Sequence, residues 1–240
     1  MTSEVHNIDC LELMRTLPDK CFQLAIADPP YGGAGNEQID HGSGGRFQKY
    51  KRTSCERTCG TWAAKYGKVI KDWDVAPRQE FFDELERVSV NRIIWGANYF
   101  TMPPTRCFVI WKKMTISESF TMAMAEYAWT SFNSNAKVVE LPPQGKQGDN
   151  RFHPTQKPVE LYAWLLKHYA KPGDRIFDPM MGSQSSRIAA YKLGFDYVGC
   201  ELDKEYFAKG CERFDRECHG ITISENGQRY QQTALFDPPS

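Results

Sequence analysis

No stretch of this 240-residue chain approaches the roughly 20 unbroken apolar residues that a bilayer-spanning helix requires, so a helical membrane protein is excluded. The first fourteen residues have no apolar run behind a basic start and carry Glu4 and Asp9, so a secretory leader is not expected. Cysteine is scarce: eight residues are too few for a disulfide scaffold, and without a leader they are expected to stay reduced in the cytoplasm. Net charge is also absent, with 30 basic against 30 acidic residues, and the bulk number therefore gives no pointer to a polyanionic partner. Metal-ligand spacing is missing too. Cys55 and Cys59 have no second cysteine or histidine pair nearby, and His41, His168 and His219 stand alone, so no metal site is expected.

The length and a 41% hydrophobic content suit one compact domain. Charge becomes informative when it is mapped along the chain. Between Arg46 and Lys71 lie eight cations against the single acid Glu56, interleaved with Phe47, Tyr50, Trp62 and Tyr66. Gly32, Gly33, Gly35, Gly42, Gly44 and Gly45 lead into this segment. Cations and aromatic faces on a glycine-rich loop suit phosphate neutralisation plus base stacking, and a solvated surface loop is the competing reading.

Elsewhere, short β-rich apolar runs alternate with helical patterns, which predicts an α/β domain around a largely parallel sheet. Strands are expected at Gln23–Ala27, Arg92–Trp95, Cys107–Trp111, Glu126–Ser131, Arg175–Phe177 and Tyr197–Cys200, with a shorter one near Val5. Helices are expected from Pro77, from Pro158, just after Gly182, and from Asp203 to about Arg216. In open sheets of this kind ligands bind beyond the carboxyl ends of the strands.

Three strand ends are chemically loaded. The run Leu24–Ala27 is followed by Asp28-Pro29-Pro30-Tyr31, which brings a carboxylate, a stiffened backbone and an aromatic ring to the rim together. The strand ending at Phe177 runs into Asp178-Pro179-Met180-Met181-Gly182-Ser183-Gln184 and then a helix, whose free N–H groups attract anions. Glu201 closes the next strand, at a spacing suited to accepting hydrogen bonds from ribose hydroxyls.

Together with Trp95-Gly96-Ala97-Asn98-Tyr99-Phe100, Ala128-Trp129-Thr130-Ser131 and His153-Pro154-Thr155-Gln156-Lys157-Pro158, these residues resemble the permuted β group of amino-directed DNA methyltransferases. The resemblance runs from about Asp9 to Phe207. It implies a Rossmann-like S-adenosylmethionine-dependent methyltransferase fold, with a seven-stranded, mostly parallel sheet containing one antiparallel strand. It further implies methylation of adenine N6 in double-stranded DNA, with cytosine N4 or a catalytically weak relative as alternatives, and the setting of restriction and modification.

By the same resemblance Asp28 and the Pro29 carbonyl would accept hydrogen bonds from the target amine, with Pro30 holding the turn, and Tyr31 would stack on a flipped base. Asp178 would hold the cofactor ammonium and Glu201 its ribose. Met180, Gly182, Ser183 and Gln184 would line its binding loop, Thr155 and Lys157 would approach its carboxylate, and Asp9 would lie near its adenine. The chain departs from the family pattern in two places. Gln184 replaces a glycine, which implies either an ordinary helical φ with a contact from the side chain, or weakened cofactor binding. Trp111-Lys112-Lys113 replaces Trp-Asp-Lys.

The expected organisation is a methyltransferase domain over 1–216 and a tail over 217–240. An inserted recognition loop over 32–72 would present Arg46, Lys49, Lys51, Arg52, Lys65 and Lys68 to DNA. A homodimer is a further expectation. In the tail, Gln232, Leu235 and Phe236 resemble a short bacterial peptide that docks on the sliding clamp.

Overall fold

Strand β2, Phe22–Ala27, is apolar on both faces and almost wholly buried, as a central strand of a helix-covered sheet must be. It pairs in parallel with β3, Ser89–Trp95, on one side and β7, Arg175–Asp178, on the other. The computed structural model describes residues 1–32, 75–118, 123–145, 151–224 and 228–231. Arg46, Lys49, Lys51, Arg52, Lys65 and Lys68 lie outside the described residues, as do Cys55, Cys59, Gln232, Leu235 and Phe236.

Beyond β7 the sheet continues through β8, Asp196–Cys200, to β1, Ser3–His6, both parallel. Beyond β3 it continues through β5, Ala125–Thr130, β4, Phe108–Lys113, and β6, Lys137–Leu141. Only β5 runs against its neighbours, since it is antiparallel to both β3 and β4 while β4 and β6 are parallel. The single reversed strand matches the sequence reading, but the sheet has eight strands and not seven. The additional strand is β6. It is short and carries Lys137 and Glu140, and Val139 is its one buried residue, so its apolar signal is weak.

Helices cover both faces. Leu24, Ile26, Ile93 and Trp95 point to a core completed by α3, Val159–Tyr169, and α4, Ser185–Leu193. Ala25, Ala27 and Ile94 point to the opposite core, closed by α1, Cys10–Thr16, and α2, Gln79–Val88. Alternation along one strand thus serves two helix layers. Helix α1, which periodicity does not reveal in seven residues, starts because Asp9 Oδ1 accepts from the Leu11 and Glu12 N–H groups at 2.7 and 3.4 Å. Pro77 lies just outside the α2 cap and Pro158 is itself the α3 cap. Asp203 caps α5, Lys204–Phe214, by accepting from Glu205 N and Tyr206 N. The domain end expected at Arg216 falls within a π-type turn, Asp215–His219, which leads into the hairpin of β9, Ile221–Ile223, and β10, Arg229–Gln231.

At the start of α4 the structure corrects the reading of Gln184. Its backbone keeps the left-handed conformation a glycine would adopt, with φ 60° and ψ 25°, and not an ordinary helical one. For an L residue this costs about 1–2 kcal/mol. The side chain is fully buried and turned into the seam between α4 and α5. Its Nε2 donates to the Phe207 carbonyl at 3.2 Å, and its Oε1 accepts from Arg187 Nη1 at 2.8 Å. The space it fills exists because position 210 is glycine, where a Cβ would stand 2.7 Å from Gln184 Cγ. Arg213 of α5 fastens the same loop from below, donating to the Ser183 carbonyl at 3.0 Å and Ser185 Oγ at 2.8 Å.

Gln184→Gly would relieve the backbone but take an acceptor from Nη1 of Arg187, whose guanidinium keeps Ser3 Oγ and the Phe214 ring, at about 1–3 kcal/mol for the lost hydrogen bond, and would leave the seam beside Gly210 unfilled. The second effect is larger, so we expect a net loss of about 1–3 kcal/mol, read as a lower denaturant midpoint at unchanged m value. Gly210→Ala should destabilise by a similar amount through overpacking. Because the clash partner is then gone, the double variant should be less destabilised than the sum of the two, and strict additivity would contradict the packing described.

Candidate active site

Strands β8, β7, β2 and β3 are adjacent and parallel, so their carboxyl ends share one rim. In that order they present Glu201, Asp178, Asp28 and the Trp95-Gly96 turn. Three carboxylates are thereby gathered where an open α/β sheet binds its ligands.

Asp28 emerges from β2 onto Pro29, which is buried, and Pro30, which is half-buried. Tyr31 turns back so that its hydroxyl donates to Asp28 Oδ1 at 3.1 Å. The Tyr31 ring stacks on Tyr99 with centroids 4.8 Å apart and meets Phe100 edge-on at 6.3 Å. This placement depends on Gly96, whose φ is 64° and where a Cβ would lie 2.0 Å from Tyr31 Cε1. No other residue leaves room for the ring there.

Lys157, immediately before the α3 cap, reaches the same carboxylate. Its ammonium lies 2.5 Å from Asp28 Oδ2 and 3.1 Å from Glu126 Oε2, and 5.5 Å from the Trp95 ring centroid. Glu126, on the reversed strand β5, in turn binds Lys113 Nζ of β4 through Oε1 at 2.6 Å. Asp28, Lys157, Glu126 and Lys113 therefore form a buried row of alternating charge. Burial raises the Asp28 carboxyl above its usual range, with Lys157 opposing the rise. Although burial works the other way, Lys157 and Lys113 hold Glu126 down at about 2. Lys157 suffers from burial yet is raised overall, because Asp28 and Glu126 both favour its charged form.

Lys157 thus sits on Asp28 and Glu126, and the neighbouring Thr155 is exposed, with Oγ1 3.3 Å from His153 Nδ1. Burial drives His153 down to about 3, so the ring is neutral, and it packs edge-on against Tyr206 at 4.4 Å.

Asp178 is 2% exposed. Its Oδ1 accepts from Met180 N at 3.0 Å and its Oδ2 from Ser186 Oγ at 2.5 Å, while Ser186 also meets the Tyr197 hydroxyl at 2.9 Å. Burial, with contributions from Asp28 and Glu201, pushes Asp178 up to about 7. Glu201 is raised by burial too, and accepts from Gly182 N at 2.8 Å and Asp203 N at 2.9 Å. Among the described residues neither carboxylate has an ion-pair partner, which is the donor set a cationic ligand fits. The Ser183 carbonyl and the Gln184 amide face α5, Ser183 Oγ meets Ser185 Oγ at 3.2 Å, and Asp9 caps α1 through Oδ1.

Glu126, Lys113, Gly96 and Tyr99 carry no assigned role in the sequence reading. A signal was present for Glu126 alone, a charge inside a strand whose next residues are apolar. Lys112, where the family pattern has Asp, instead pairs across the edge with Glu140 at 2.8 Å.

Residues 109–210 match the family model N6_N4_Mtase, described as DNA methylase. The chain is 26% identical over 210 residues to YubD of Escherichia coli (strain K12), a protein named as a methylase, covering 85% of this chain and 87% of that one. Among solved structures, the PvuII DNA methyltransferase, described as cytosine-N4-specific, superposes with a TM-score of 0.57 at 12% identity over 95% of each chain. The M1.HpyAVI–SAM complex superposes with a TM-score of 0.50 at 18% identity, over 88% of this chain and 98% of that one. Over residues 109–210 the chain is thus similar to DNA methylases of the N6/N4 type, and as a whole it shares the fold of these solved methyltransferases.

Proposed function

We propose that this chain is a DNA adenine-N6 methyltransferase in which Asp28 is the acceptor for the target amine. The observation that carries the reading is the placement of Asp28 and Tyr31 at one strand end, beside the unpaired carboxylates Asp178 and Glu201 on the next two. S-adenosylmethionine, when bound, supplies an electrophilic methyl group on a sulfonium. Asp178 would hold its ammonium and Glu201 its ribose hydroxyls.

An exocyclic adenine amine is a poor nucleophile because its lone pair is delocalised into the ring. Asp28 and the Pro29 carbonyl would draw its hydrogens and turn the lone pair toward the methyl group. The base must leave the duplex to reach them, and the Tyr31 face, backed by Tyr99, offers the stacking surface. The carboxylate that opens Asp28-Pro29-Pro30-Tyr31 favours adenine, because the cytosine-N4 group more often begins this signature with Ser. The deciding experiment incubates the protein with S-adenosylmethionine and PCR-amplified phage λ DNA and identifies the product nucleosides by mass spectrometry. N6-methyldeoxyadenosine is expected, and N4-methyldeoxycytidine would overturn the adenine assignment.

Asp28→Ala should abolish transfer while leaving the S-adenosylmethionine dissociation constant within several-fold of wild type, measured by calorimetry. Loss of cofactor binding instead would refute the role given to Asp28.

A pH dependence follows from Asp178. A carboxyl raised to about 7 holds a cation only when ionised, so binding below that pH must expel a proton. Cofactor affinity should therefore fall as pH drops below about 7, by up to roughly tenfold per unit. Calorimetry in buffers of different ionisation enthalpy should detect the released proton, and Asp178→Asn should bind weakly with no such dependence.

The basic segment beyond Gly32 is proposed to contact phosphates. Replacing Lys49, Lys51 and Arg52 together should flatten the salt dependence of DNA affinity by roughly two to three units in log–log slope, and an unchanged slope would assign them to solvent.

A further inference from the structure

Both oxygens of Asp28 are already engaged, Oδ1 by the Tyr31 hydroxyl and Oδ2 by the Lys157 ammonium. The ammonium is the nearer donor, at 2.5 against 3.1 Å, and an amine seeking Oδ2 must displace it. Lys157 has little freedom to leave, being 5% exposed and packed beside the Trp95 ring. One alternative lies within reach. Glu126 Oε2 is 3.1 Å from Lys157 Nζ, yet it is buried and, among the described residues, receives no directed hydrogen bond. Its partner oxygen Oε1 is pinned by Lys113, which is itself 6% exposed, so the carboxylate cannot turn away.

We propose that Glu126 is a positioning residue that takes over the Lys157 ammonium when the substrate amine arrives, freeing Asp28 Oδ2 to accept it, and that Lys113 holds Glu126 ready for this exchange. The inference rests on the reading of Asp28 as the amine acceptor. A displacement of a few tenths of an ångström converts the Glu126 contact into a charge-assisted hydrogen bond of about 2.8 Å. The exchange moves no net charge into or out of the buried row, because two carboxylates and two ammonium groups remain throughout. That balance matters where a stranded charge is costly. Glu126 is also held low enough to stay an anion at every working pH.

Two measurements test the exchange. The crystal structure of Asp28→Asn removes the competing charge, and Lys157 Nζ should then leave the residue-28 side chain and close from 3.1 Å to about 2.8 Å of Glu126 Oε2. If the ammonium stays on the residue-28 amide with Glu126 Oε2 no nearer than before, the second seat does not exist. In single-turnover methylation of λ DNA, Glu126→Gln should lose about 10- to 100-fold in rate. Its S-adenosylmethionine dissociation constant and its DNA affinity should stay within about twofold of wild type, unlike a merely structural loss. Glu126→Asp should recover part of the rate and supplies the kinetics if Glu126→Gln melts. A wild-type rate in Glu126→Gln would overturn the proposal. If wild type methylates neither adenine nor cytosine, the proposed function fails, and the Asp28→Asn structure still decides where Lys157 goes.

Discussion

Burial of negative charge at one rim of the sheet is the constraint on which the rest of this structure depends. Parallel strands end together, so carboxylates placed after β8, β7 and β2 are forced into proximity in a medium that disfavours ions. The chain meets this in two ways. Asp28 is neutralised internally, by Lys157 and the row behind it. Asp178 and Glu201 receive only backbone and hydroxyl donors, and Asp178 consequently titrates near neutrality. The first half is complete as it stands. The second would be completed by a cation from outside, and under the proposed function a sulfonium cofactor with an ammonium group brings one.

Much of this was legible in the sequence because strand ends and chemistry coincide. Asp28, Asp178 and Glu201 each follow an apolar run that forms a central strand, and pattern alone locates them. The pairing of β3 with β5, which delivers Glu126 to Lys157, is a long-range fact with no local signature. Nothing in Ala125–Thr130 says that its first buried charge will face a lysine some thirty residues further on. The same limit explains β6, whose place at the sheet edge lets Lys137 and Glu140 be polar. It also explains α1, too short for its period to show but readable afterwards from its cap.

Gln184 shows how a local rule can fail while its purpose is kept. A missing glycine in a cofactor loop suggests a changed backbone, because left-handed φ is costly with a Cβ present. Here the backbone is left-handed all the same, and the cost is offset elsewhere. Gly210 opens the space, and Arg187 with the Phe207 carbonyl satisfies the amide. A torsional cost at the start of α4 is thus tied to a steric need for glycine in α5. No rule based on the loop sequence alone finds that link.

The buried row explains why a lysine can sit on the proposed acceptor without disabling it. A lone Asp28–Lys157 pair would be stable and closed, since separating buried charges leaves both uncompensated. A lone Asp28 would take up a proton more readily and stop accepting, because burial already raises its carboxyl even with Lys157 beside it. Adding Glu126 gives Lys157 two carboxylates of like charge and similar distance, so moving between them exposes neither. Adding Lys113 prevents Glu126 from leaving the row net negative. Four groups are the smallest set that keeps the acceptor ionised, keeps the interior neutral and still leaves one oxygen of Asp28 available on demand.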